Sequence, residues 1–431
     1  MEKNIEEFNF HKIKEKASFK FYINGKYYLN KYKLRKIIII CFLIFSLGGK
    51  ITQRNKDIYK EEKFYSMEES FEKAKNFINK SLNGIVYHKQ PFILCEKPKI
   101  SSIIPVYNSE NFISRAIKSI QNQNLLDIEI ILVNDLSTDN TLETLKKLQN
   151  EDPRIKIINN KKNMGTLYSR SIGALSAKGD YIFPLDNDDM FLDEDVFEVI
   201  RNIAEKGNFD IVQFKGILSL LGNTDILKRP IVNIPFSDHK LNLVLFQPKL
   251  GLFPLLIPNE FGESYKLNAV FLWAKCIKTK IYQKSINKMG RQRYSRNAFN
   301  YEDVVAIYTI FNTAQSYKFV GKYGILNIYR NNSANSLTHT NIEINSVQIF
   351  LTDIAIDFTQ KKKENHMFIV YLILFVLNKP QLQETLSSNN YVRKLFFSCL
   401  NKIINSNYIS IFHKKEIRKK IKYLNFLNFT K

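Results

Sequence analysis

Hydrophobic positions along the chain change period several times, and each change marks an element. Lys99-Ile-Ser-Ser-Ile-Ile-Pro-Val-Tyr-Asn108 is a nearly continuous apolar run closed by a turn signal, as in a strand covered on both faces. From Ser109 to Asn122, Phe112, Ile113, Ala116, Ile117 and Ile120 recur at helical spacing, with Ser109 as the expected N-cap. Asp127 to Asp135 predicts a second strand, and Ser137-Thr-Asp-Asn-Thr141 then caps a helix through Leu142, Leu145 and Leu148. Arg154 to Asn159, Leu167 to Ala177 and Asp180 to Asp186 predict a third strand, a third helix and a fourth strand. Strands alternating with helices imply a right-handed, mostly parallel sheet. Such sheets bind ligands at the carboxyl ends of their strands. Asn108, Asp135 and the run Asp186 to Asp189 all fall there.

The flanking regions read differently. Residues 1–36 are Lys-rich without apolar period and are expected to be a basic mobile tail. Residues 37–49 form a short apolar segment, about 20 Å long as a helix against a hydrocarbon core of about 30 Å. Flanking cations can snorkel to close that gap. A membrane anchor is the first reading, with a signal peptide or a buried element as alternatives. As an anchor, the cluster Lys31, Lys33, Arg35 and Lys36 sets the N-terminus in the cytosol. The protein is then membrane-associated and single-pass, in Golgi or ER if eukaryotic; a cytoplasmic protein is the alternative. Residues 50–97 are expected to be a helical stem or linker, with Phe64, Met67, Phe71, Ala74, Phe77 and Ile78 on one face. Residues 98–335 hold the α/β domain and 336–431 a helical region. Within it, His366 to Asn378 is apolar all round and predicts a buried helix. Lys414, Lys415, Arg418, Lys419, Lys420 and Lys422 make a basic segment, a solvated face or one suited to anionic lipid.

With 431 residues and 45% hydrophobic composition, the chain can bury a sizeable core, which excludes wholesale disorder. A mean hydropathy of −0.23 excludes a polytopic membrane protein. The net charge of +23 favours anionic partners. Cys41, Cys95, Cys276 and Cys399 are scattered, without a CxxC pair or a Cys/His cluster, so no structural zinc is expected. No GxGxxG follows the first strand and no GxxxxGK[ST] occurs, which disfavours dinucleotide-binding and P-loop domains. No RNP-like signature, zinc finger or basic recognition helix supports a nucleic-acid partner.

Leu185-Asp-Asn-Asp-Asp-Met190 carries the strongest chemical signal. Two carboxylates spaced Asp186-x-Asp188 at a strand end suit a hard divalent cation, Mn²⁺ or Mg²⁺. In isolation the same pattern is a solvated acidic turn; after three βα units the metal reading leads.

Ile104-Pro-Val-Tyr-Asn108, Val133-Asn-Asp-Leu-Ser-Thr-Asp139, Asn163-Met-Gly-Thr-Leu-Tyr-Ser-Arg170 with Gly173, Gly179 to Asp189, Leu272-Trp-Ala-Lys275 and Tyr301-Glu-Asp303 occur in this order. The set resembles family 2 glycosyltransferases of the GT-A fold over about residues 99–335. It departs at Asn134 and Leu136, where the family often has Asp and Gly. The resemblance implies an α/β, GT-A-like, Rossmann-like, mostly parallel central sheet flanked by helices. It implies inverting transfer of a sugar from a nucleotide-diphosphate donor, by default a UDP-sugar, to a hydroxyl of a glycan, protein or lipid acceptor. Pro105 and Tyr107 would shape the base pocket, Asp135 would accept from the nucleobase, and Arg170 would contact base or diphosphate. Asp186 and Asp188 would hold the metal, Asp186 directly or through the ribose. Asp303 would be the base that deprotonates the acceptor, with Glu302 as helper. Two acids in the first turn of a helix are also explained by the helix dipole alone. Trp273 is read as either an acceptor-stacking or a core residue, and Lys275 as near the diphosphate. A nucleotide-sugar hydrolase or nucleotidyltransferase, or a non-catalytic nucleotide-binding scaffold, are the alternatives.

Overall fold

The four strands expected in the first half form one edge of the sheet. The computed structural model describes residues 65–83, 85, 92–219, 231–233, 272–294, 302–328, 341–359, 373–374, 376–377, 382–407 and 409–425. In it β1 (Ile100–Val106), β2 (Ile128–Asn134), β3 (Ile155–Asn159) and β4 (Tyr181–Pro184) run parallel. β2 lies between β1 and β3, and β4 flanks β1 on its other side. β1 and β2 are buried at every position, which explains their unbroken apolar runs. Helices α1 (Met67–Leu82), α2 (Ile113–Gln121), α3 (Thr141–Glu151) and α4 (Thr166–Ser176) complete this half.

α2 begins at Ile113 after Phe112, not after Ser109 as the spacing predicts. The Ser109 hydroxyl donates to the Tyr107 carbonyl at 2.9 Å and accepts from Asn187, so it braces a loop instead of capping a helix. α4 lies tight on β1: a Cβ on Gly173 would sit 2.6 Å from Ile103 Cγ2.

Beyond β4 the sheet becomes mixed. β5 (Met190–Phe191), α5 (Val196–Lys206), β6 (Ile211–Ser219), β7 (Ile231–Asn233), β8 (Lys275–Lys278), α6 (Thr279–Met289), α7 (Arg291–Tyr294), α8 (Glu302–Phe311) and β9 (Tyr317–Ile328) follow. Strand order is β3-β2-β1-β4-β8-β6-β9-β5, with β7 on β6. β8 is antiparallel to both β4 and β6, whereas β9 is parallel to β6. The sheet is thus mostly parallel at its core, with flanking helices. Phe183, Phe191, Phe197 and Phe214 pack together, two of the ring pairs at 4.7 Å, and lock β4, β5, α5 and β6.

The helix expected as a stem is docked. Ser66 and Glu69 form a capping box at the start of α1, which buries Phe71, Ala74, Phe77 and Ile78. Phe71, Ala74 and Ile78 join Met190, Leu192, Ile217, Tyr323 and Leu326 in one cluster. At about 1.5–3 kcal/mol per large buried side chain, that stripe outweighs any gain from leaving the helix in solvent.

The end of the chain is helical, as expected: α9 (Asn341–Thr359), α10 (Leu382–Ser388), α11 (Asn390–Asn405) and α12 (Ile411–Asn425). One apolar core runs from Ile103 and Ile131 through α6 and α8 into α9 and α11. Asp353 of α9 pairs with Arg293 at 2.9 Å and Lys402 at 3.0 Å, tying three helices together. The helix expected over 366–378 lies mostly outside the described residues; Ile373, Val376 and Leu377 within it are buried. The tail and the apolar run 37–49 also lie outside them. Among the described residues no helix is long and apolar enough to cross a membrane.

Candidate active site

Parallel strands deliver their carboxyl ends to one edge, and polar side chains knit that edge together. Asn108 follows β1 with φ 45°, and Leu136 follows β2 with φ 60°, both in the left-handed region. The Asn108 amide donates to Ser137 Oγ at 3.1 Å, and its Oδ1 accepts from the Thr138 amide at 2.8 Å. Asn134 Oδ1 accepts from Ser137 Oγ at 2.6 Å. The loops after β1 and β2 are therefore one unit.

Asp135 is buried and ties in the loop after β3. Its Oδ1 accepts from Asn160 Nδ2 at 2.6 Å and the Met164 amide at 2.8 Å, and its Oδ2 from the Gly165 amide at 2.7 Å. It fixes the turn that starts α4, while α3 begins after Asn140. Gly165 there has φ 83°, which a side chain would disfavour. Pro105 is buried inside β1, paired with Val133, while the Tyr107 ring stands exposed at the strand end.

At the end of β4, Asp186, Asn187 and Asp188 are half-buried and Asp189 is buried. The Asp189 amide donates to the Asp186 carbonyl at 3.2 Å, and Arg115 of α2 donates to the Asp188 carbonyl at 3.1 Å. Lys322 of β9 bonds Asp193 at 2.9 Å and Asp195 at 2.6 Å, closing the following loop on the sheet. Burial raises the Asp193 carboxyl well above the usual range, helped by its hydrogen bond with Asp195.

Arg170 joins the two halves of the site. Its guanidinium, 5% exposed on α4, forms ion pairs with both Asp186 and Asp303. Asp303 also accepts from the Leu272 amide at 3.2 Å. The sequence reading sends Arg170 toward base or diphosphate; here it bridges two acids that lie on different elements. Glu302 opens α8 beside Asp303. Lys275, fully buried at the start of β8, has its ammonium pushed down to about 7 by burial, against the opposing pull of Asp303. Trp273 is 3% exposed, so it belongs to the core and offers no stacking face.

Asp186 and Asp188 would be the residues to hold a hard divalent cation, Asp186 while also paired with Arg170. Both are partly accessible carboxylates on one tight turn, and carboxylate oxygen is the donor that Mg²⁺ and Mn²⁺ prefer. Among the described residues no group of three or more His, Cys, Asp or Glu that could hold a metal ion comes together.

Sequence reasoning missed three participants: Asn160, which holds Asp135; Arg115, which holds the Asp188 carbonyl; and the bridging role of Arg170. Asn160 had a usable signal, being a polar residue directly after a strand, like Asn108 and Asp135. The other two have none, because both contacts span long stretches of chain.

Residues 101–250 match the model of glycosyl transferase family 2. A cholesterol galactosyltransferase of Borreliella burgdorferi is 31% identical over 264 residues, 60% of this chain and 69% of that protein. The GalNAc(5)-diNAcBac-PP-undecaprenol beta-1,3-glucosyltransferase of Campylobacter jejuni is 31% identical over 43% of this chain and 62% of its own length. The crystal structure of S. aureus TarS 1-349 aligns with 14% identity and a TM-score of 0.47, over 75% of this chain and 87% of that one. With the site motifs in family order and a relative of this identity covered over two thirds of its length, the chain belongs to glycosyltransferase family 2 and is a glycosyltransferase.

Proposed function

We propose that this enzyme transfers a sugar from a nucleoside diphosphate donor, a UDP-sugar, to an acceptor hydroxyl with inversion at the anomeric carbon. The observation that carries this reading is the Arg170 bridge, which sets Asp186 and Asp303 on one guanidinium. An acid suited to the donor side and an acid suited to the acceptor side are thereby brought within one side chain of each other.

Asp135 has three donors on a carboxylate with about four acceptor sites, leaving room for one more. A pyrimidine imide N–H suits that position, and Tyr107, exposed directly after the Val106 carbonyl that accepts from the Asp135 amide, offers a ring face for the base. Asp186 and Asp188 would hold Mn²⁺ or Mg²⁺, which when bound neutralises the charge growing on the leaving diphosphate. Asp303 takes the acceptor proton as the oxygen attacks, and the bond from anomeric carbon to phosphate oxygen breaks on the opposite face. One displacement with one base gives inversion. Glu302 would contact the acceptor. The acceptor class is a lipid or lipid-linked glycan: the two relatives above carry such acceptors in their names.

UDP binding to the full chain, measured by calorimetry with and without Mn²⁺, tests the donor site. Binding should need Mn²⁺ in the wild type and be lost in Asp188→Ala. Asp303→Asn should keep UDP binding and lose sugar transfer by at least about a thousandfold. Metal-independent binding would overturn the metal role, and an active Asp303→Asn would overturn the base assignment.

A further inference from the structure

The last helix presents a face that the transfer reaction does not use. In α12 the exposed residues are Ile411, Phe412, Lys415, Arg418, Lys419 and Lys422. At about 100° per residue they share a single arc of about 120°. Ile417 on the far side is fully buried, and Ile421 packs on the core, so the helix is seated and this arc faces outward. Lys414 is turned in and donates to the Ser406 carbonyl. The arc therefore carries four cations and two adjacent large apolar side chains, Ile411 at 73% and Phe412 at 55% exposure, with one acid, the half-buried Glu416, at its edge.

We propose that this face of α12 binds an anionic lipid surface, with Ile411 and Phe412 entering the headgroup boundary and the four cations meeting lipid phosphates. Charge complementarity selects an anionic partner, and the apolar pair selects among anionic partners. Isolated exposed aliphatic residues are ordinary, but an exposed Ile-Phe pair beside a cationic arc combines the two contributions that add in interfacial binding, apolar insertion and attraction to anionic lipid. A nucleic-acid backbone would use the cations and leave the apolar pair in water. Each surface cation near an anionic leaflet contributes about fivefold in affinity, so removing four is a large change.

Flotation of the full chain with phosphatidylcholine vesicles, with and without about 30% phosphatidylglycerol, tests this. Wild type should prefer the anionic vesicles by at least about tenfold, and salt should weaken the preference. The charge variant Lys415→Gln/Arg418→Gln/Lys419→Gln/Lys422→Gln should lose that preference. Ile411→Ser/Phe412→Ser should bind the anionic vesicles about tenfold more weakly. Thermal midpoints check that both variants, changed only at exposed positions, remain folded. Equal vesicle binding by wild type and the charge variant would overturn the proposal and locate the contact elsewhere, including residues 37–49. A loss confined to short RNA in the charge variant, with vesicle binding intact, would overturn it in favour of a nucleic-acid partner.

Discussion

A lysine without solvent access should make the stability of this enzyme rise with pH. Lys275 ordinarily would titrate at 10.5, and burial brings it to about 7. Between those values the folded chain holds it neutral while the unfolded chain holds it charged. The unfolded state then binds the extra proton, so stability increases as pH climbs through the window. The slope for one such group is about 1.4 kcal/mol per pH unit, which gives about 3–5 kcal/mol over the whole interval. Lys275→Met keeps length and apolar volume in the fully buried position and removes the titration. Urea unfolding of wild type and variant at steps from pH 7 to 10 gives two curves, and their difference cancels every other titrating group. That difference should grow in favour of wild type by about 1.4 kcal/mol per unit until it levels near pH 10. Parallel curves would refute the reasoning, because they would mean that Lys275 is equally charged in both states.

Arg170→Met removes the buried counter-charge of two acids that are 27% and 18% exposed. With that partial solvation as a discount, urea unfolding should show a loss of about 2–3 kcal/mol, and Arg170→Lys should recover only part of it because it lacks the fork. Gly179→Ala would put a methyl 2.6 Å from both the Ile100 carbonyl carbon and the Ser101 amide nitrogen. Neither backbone atom can yield cheaply, so a lower thermal midpoint, equivalent to about 2–3 kcal/mol, is expected while Mn²⁺-dependent UDP binding is retained by the folded fraction.

The sequence was most readable where structure and chemistry are local. β1 to β4 are short apolar runs punctuated by turn residues, and the parallel arrangement follows from their alternation with helices. Asn108, Asp135 and Asp186 were placed at the carboxyl edge by the same logic. Beyond β4 that logic weakens: β8 and β6 pair antiparallel across a long intervening stretch, and nothing in Lys275-Cys-Ile-Lys278 states which strand it joins. The partners of charged groups were the least legible. Arg170 reaches an acid 133 residues away, and a guanidinium on a helix after a glycine turn looks the same whether it meets a phosphate or a carboxylate. Ser109 failed as a cap for a related reason: its hydroxyl found better partners in Tyr107 and Asn187.

The knot of hydrogen bonds at the strand ends bears on how this enzyme can change. Asp135 is held by Asn160, Met164 and Gly165, and the loop beside it by Asn108, Ser137 and Asn134. These bonds tie the loops to one another in the folded chain, so a ligand bound at this edge as proposed would lose little further loop entropy. The same rigidity links positions that would otherwise drift independently. Exchanging Asp135 for a residue suited to another base would leave two backbone amides and the Asn160 side chain without their acceptor. If Asp135 meets the base as proposed, a switch of donor base would require correlated substitutions in the loops after β2 and β3.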